Sequence, residues 1–119
     1  MNSKANWAAK LDKFEYELNV FNTTAYETNK EADVGFKYFE TLLSEIMTFI
    51  EYRSLSIDTR ESEDDTLLNR AIVLLANQLG CAEHIELYER RVSMLYDQKL
   101  IKESHVNLFE VELNDGRWR

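Results

Sequence analysis

Two pairs of carboxylates have the spacing best suited to chemistry. Glu83 and Glu86 stand three residues apart, and so do Glu112 and Asp115. On a helix, residues three apart share a face. Two such pairs on facing helices could hold a divalent cation through oxygen ligands. Cys81 and His84 are also three apart, close enough to touch on a helix, but no third group is evident to orient the histidine for nucleophilic catalysis. His84 and His105 stand outside any HExxH or ExxH pattern, so the ligand set of a di-iron helical bundle is missing. Both histidines are expected at the surface. Gly35, Gly80 and Gly116 are isolated, which leaves no glycine-rich loop to cradle phosphate.

The pattern Glu83-x-x-Glu86 followed by Glu112-x-x-Asp115 is similar to the ExxE…ExxD signature of all-α nucleotide pyrophosphohydrolases of the MazG and dUTPase type. The resemblance covers these four positions. It implies carboxylates on two helices that hold magnesium ions for a triphosphate. The chain departs from that family in the setting of Asp115, which lies in an Asn-Asp-Gly sequence expected to end a helix. No further helix is read after it to complete a four-helix core. The preferred reading has no catalytic residue, no metal and no cofactor, and the hydrolase is kept as the alternative.

The elements that must position these residues are helical. The chain of 119 residues has no proline and three glycines, so it contains little that would interrupt a helix. From Trp7 to Ile50 apolar residues recur in steps of three and four: Trp7, Leu11, Phe14, Leu18, Phe21, Ala25, then Ala32, Phe39, Leu42, Ile46 and Phe49. A first helix is expected from about Ser3 to Phe21. Asn22-Thr23-Thr24 then lowers helix propensity, because short polar side chains compete for backbone hydrogen bonds. Thr24 with Glu27 and Thr28 with Glu31 both fit a capping box, so a second helix can begin at either. The alternative is one continuous helix of about 45 residues, far above the usual length; the break is the preferred reading.

The second helix is expected to reach about Arg53, with an apolar arc broad enough for a central position in a bundle. Residues 54–65 read as an acidic linker, with Ser62 as the N-cap of a helix running from about Glu63 to Leu79. Leu67, Leu68, Ala71, Ile72, Leu74, Leu75 and Leu79 are expected to face inward, with Gly80 as the C-cap. A fourth helix carries Ile85, Tyr88, Val92, Leu95 and Tyr96 inward and ends near Lys102, with Glu86 and Arg90 as an i,i+4 pair. Residues 108–113 nearly alternate in polarity, but no second strand is available to pair with them. A fifth helix starting at Ser104 is therefore expected, ended by Asn114-Asp115-Gly116, with 114–119 as a tail.

Apolar residues make up 45% of the chain and charged residues 30%, which describes a folded, water-compatible protein. The net charge is −8, with ten acidic against seven basic residues in 1–60 and twelve against seven in 61–119. A nucleic-acid backbone is an unsuitable partner for such a surface, whereas a basic protein is a suitable one. No stretch approaches the ~20 apolar residues that span a bilayer, and no signal peptide is evident. Cys81 is the single cysteine, expected as a buried, inert thiol in a reducing compartment, and the cytoplasm is the expected location.

Two features point to a binding surface. Asp58, Glu61, Glu63, Asp64 and Asp65 form the densest charge cluster, suited to a basic groove. The aromatic content, six Tyr, six Phe and two Trp, exceeds what a small core needs. Trp7, Tyr16, Tyr26 and Trp118 are the candidate contacts, with Tyr38 and Tyr52 also off the main stripe. The expected architecture is a single all-α domain over 1–119, an antiparallel bundle of four to five helices that self-associates, with a homodimer among the expected forms. The expected function is that of a small acidic inhibitor, adaptor or regulatory subunit acting by stoichiometric protein binding. A purely structural helical homo-oligomer is a further alternative. Compact acidic chains without catalytic motifs are common among phage-encoded inhibitors, an analogy of composition only.

Overall fold

The computed structural model describes residues 4–56 and 66–117, which form five helices and no strand. The order is α1 (Lys4–Thr23), α2 (Asn29–Ser56), α3 (Thr66–Gln78), α4 (Ala82–Asp97) and α5 (Glu103–Arg117). The fold is all-α. The chain forms two compact units, Met1–Ile46 and Met47–Arg119, so α2 contributes residues to both. The expected N-cap at Ser62 and the start of a helix at Glu63 lie outside the described residues, as does most of the 54–65 linker. The part that is described, 54–56, is helical.

In the first unit, α1 and residues 29–46 of α2 form an antiparallel hairpin. Trp7, Leu11, Phe14 and Leu18 are buried along one face of α1, and Phe39, Leu42, Leu43 and Ile46 along α2. Phe21 near the end of α1 stacks on Phe39 with ring centroids 4.7 Å apart. Phe14, a further two turns back, lines a cleft together with Leu42. Residues earlier in α1 thus meet residues later in α2, as an antiparallel register requires. Ala25, placed on the stripe by spacing, is exposed because it falls in the turn.

The turn resolves which capping box is used. Thr23 and Thr24 turn their hydroxyls back onto the Asn19 and Val20 carbonyls, at 2.8 and 2.5 Å, and satisfy acceptors at the end of α1. Thr28 is the N-cap of α2. Its Oγ1 accepts the Glu31 N–H at 3.1 Å, while the Glu31 carboxylate accepts the N–H of Glu27 at 3.2 Å. The first bond satisfies a donor that a helix start leaves open, and the second ties the residue before the cap to the first turn.

In the second unit, α5 packs chiefly on α3 and also on α4. Leu67, Leu68, Ala71, Ile72, Leu75 and Leu79 are buried as expected; Ala76 joins them, and Leu74 is only half-buried. Tyr88, Val92 and Leu95 carry the buried face of α4, but Tyr96 is 43% exposed, being displaced from that face by one helical step. Glu51 near the end of α2 pairs with Arg91 of α4, whose guanidinium also lies 5.9 Å from the Tyr88 ring centre. Arg90 and Glu86 form the expected surface pair at 3.2 Å.

Three helix ends differ from expectation. No described glycine has positive φ, so Gly80 does not make a left-handed cap; α3 stops at Gln78 with the Leu79 N–H on the Ala76 carbonyl. Gly116 lies inside α5, so Asn-Asp-Gly does not end that helix, and the expected tail is helical through Arg117. The left-handed residue is Lys99, at φ 62°. The Leu100 N–H bonds to the Leu95 carbonyl and the Lys99 N–H to that of Tyr96, both at 2.9 Å, which is a Schellman ending of α4. A lysine in that conformation costs roughly 1–2 kcal/mol relative to right-handed backbone. Lys99→Gly is therefore expected to stabilise the protein by about 0.5–1 kcal/mol after the larger chain entropy of glycine is counted. A higher midpoint in urea unfolding at unchanged slope checks it.

Candidate functional site

The surface feature built by the most specific local structure is at the turn end of the first unit. Tyr26, inside the turn, lays its ring on the backbone of Gly35 in α2. A Cβ at Gly35 would lie 2.5 Å from the Tyr26 Cζ, closer than any real contact. Absence of a side chain at this position is what lets the ring sit there. Phe21 steadies Tyr26 from below, with ring centroids 6.1 Å apart, and Phe36 leans on Phe39 at 6.4 Å. The result is an open groove of about 570 Å³ whose walls include Tyr26, Val34, Gly35 and Tyr38, with Lys30 and Glu31 at its edge.

The groove is largely apolar yet faces water. Val34 is 64% exposed and Tyr38 48%, and they stand four residues apart on one face of α2. The Tyr38 hydroxyl donates a hydrogen bond to the Glu17 carboxylate of α1. Its ionisation is pushed above the ordinary value of 10.0 by lost hydration first, then by the negative charge and hydrogen bond of Glu17, with a contribution from Glu45. A phenolate there would face two carboxylates in place of a donor's partner.

The expected contact residues have different fates. Tyr26 is part of the groove. Tyr16 is 69% exposed on the side of α1 away from its buried stripe, and Tyr52 is exposed on α2. Trp7 is buried, at 9% exposure, because it continues the stripe of Leu11, Phe14 and Leu18. Asp58, Glu61, Glu63, Asp64, Asp65 and Trp118 lie outside the described residues.

The four carboxylates of the alternative reading lie on α4 and α5. Glu83, Glu86 and Asp115 are exposed and Glu112 is half-buried. Among the described residues, no group of three or more Asp, Glu, His or Cys is arranged to hold a metal ion. Glu86 is engaged instead by Arg90 on its own helix.

Both histidines are buried, His84 at 8% and His105 at 6% exposure, against the expected surface position. His84 falls on the same face of α4 as Tyr88 and Leu95, and His105 on that of Phe109 in α5. The Nδ1 of His105 accepts the Lys102 N–H at 2.9 Å, three residues back, and so closes the first turn of α5. Cys81 is exposed, not buried, because it sits in the two-helix connection at the N-cap of α4 rather than on an apolar face.

Comparison of the chain with known protein families, curated proteins and solved structures returns no match.

Sequence reasoning found Tyr26 but missed Val34 and Gly35. The available signal was Gly35 itself, a weak position in an otherwise large apolar series. Two outcomes are expected. Gly35→Ala should drive the Tyr26 ring off α2 while stability stays within about 1 kcal/mol of the parent, since alanine gains that much in helix propensity; the ring-current shift of residue 35 in NMR reads it. Glu17→Gln should lower the Tyr38 ionisation toward 10.0 in ultraviolet titration against a Tyr38→Phe background. Since the folded-state value is raised, this group stabilises the fold below its unfolded pKa. That contribution is lost as pH climbs through the raised value.

Proposed function

We propose that the protein is a non-enzymatic, cytoplasmic interaction protein that binds another protein stoichiometrically and alters its activity, as an inhibitor, adaptor or regulatory subunit. The observation that carries this reading is the aromatic groove at the turn end of the first unit. Exposed apolar side chains grouped in a concavity, rather than scattered, are characteristic of protein-binding surfaces. Tyrosines add to this because they offer a large contact area with few rotatable bonds and a polar tip. The groove is also held by a defined framework: a capped helix start, a ring seated on Gly35 and a stacked Phe21–Phe39 pair. A surface ordered before binding loses less entropy on association.

Val34 is the informative residue, since it is exposed and its replacement leaves the buried core untouched. Affinity capture with the full chain, followed by titration of the captured protein, is expected to give a one-to-one complex. Val34→Glu should weaken that complex by about tenfold or more, equivalent to ~1.4 kcal/mol. Affinity unchanged by this substitution, or association of the chain only with itself in light scattering, overturns the reading.

A further inference from the structure

We propose that the groove also receives a second copy of the chain, in a two-fold dimer that must open before another protein can enter. The competition between these two occupants rests on the binding reading above. A two-fold contact needs a projection and a recess on one and the same surface. This face has both. Val34 is a wall of the groove and, at 64% exposure, the most exposed of its large apolar side chains. Lys30, Glu31, Val34, Lys37, Tyr38 and Thr41 share this side of α2 by their three- and four-residue spacings, and all six are exposed.

The order of charge along this face selects the arrangement. The groove itself is lined by one lysine and one glutamate, so it favours no ligand of a single sign. It favours a surface that carries the same charges in reverse order. When two α2 helices lie antiparallel and centred on Val34, residues equally far before and after position 34 meet. Glu31 then faces Lys37 of the second copy, and the pair is repeated across the axis. Lys30 falls on the ring of Tyr38 in the other copy, a cation–π contact. Neither lysine has an ion-pair partner among the described residues, and the Glu31 carboxylate is oriented by the Glu27 N–H. Other alignments lose these contacts. Centred on Tyr38, the same pairing sets Glu31 against Glu45, and centred midway between Val34 and Tyr38 it sets Glu31 against Thr41. A parallel pair sets every charge beside its own kind.

The test is analytical ultracentrifugation of the full chain with charge reversals. A contact made by about three turns of one helix is small, so a reversible dimer in the micromolar range is expected. Lys37→Glu and Glu31→Lys should each weaken it about tenfold or more, since each sets like charges opposite one another twice. The double reversal exchanges the signs and should restore the dimer to within about threefold of the parent. In a Cys81→Ser background, Val34→Cys should cross-link two chains on mild oxidation. Thr41→Cys should not, because positions seven residues from the axis stand ~21 Å apart. Lys37 is not a wall of the groove. Lys37→Glu should therefore raise the apparent affinity for the captured protein at concentrations where the parent is dimeric. A monomer at every concentration, a double reversal that restores nothing, or no cross-link through position 34 overturns the dimer. If the dimer fails while the captured protein still depends on Val34, the binding reading stands alone. A captured protein that binds the intact dimer overturns the competition. If the dimer obeys the reversals and no other protein is captured, the binding reading and the competition fall together.

Discussion

The stack of Phe21 on Phe39 sets the geometry on which the first unit depends. One ring comes from the last turn of α1 and the other from the second half of the α2 segment in that unit, and their contact at 4.7 Å fixes the register of the hairpin. With the register fixed, Glu17 falls beside Tyr38 and Phe14 near Leu42. The turn between the helices then has to close over a short span. Thr23, Thr24 and Thr28 make this possible by taking up backbone groups that neither helix can satisfy. Tyr26, placed at the middle of that turn, leans on the backbone of Gly35 and on the Phe21 ring. The groove follows from these steps and needs no separate device.

The second unit relies on a different balance. Its apolar core comes from α3, α4 and α5 together with the end of α2, where Met47, Phe49 and Ile50 are buried. Two of the polar groups within it have defined partners. Ser54, almost fully buried, donates to the Glu51 carbonyl at 2.8 Å, and Glu51 itself pairs with Arg91. Such half-buried pairs add more orientation than energy, since part of their attraction offsets lost hydration.

Much of this was legible in the sequence. The absence of proline, the three-four spacing from Trp7 onward and the threonines near residue 24 were enough to read helices and a break. They left two capping boxes open, and the choice of Thr28 over Thr24 depends on where Phe21 meets Phe39, a contact between residues eighteen positions apart in sequence. Helix ends were the weakest part. Gly80 and Gly116 are strong stop signals by type, yet one caps nothing and the other continues a helix, while Lys99 takes the strained conformation. The candidate site was half legible. Tyr26 was visible as an aromatic residue off the stripe, but a groove is a property of what surrounds a small residue, and sequence spacing does not report that. Cys81 and the histidines were misjudged for a related reason: average burial by residue type does not know which helical face a residue occupies.

His105 carries one more consequence. A backbone N–H can only donate, so the Nδ1 that receives the Lys102 N–H must present a lone pair, and the proton of the neutral ring resides on Nε2. The beginning of α5 is therefore written in a single tautomer of one buried imidazole.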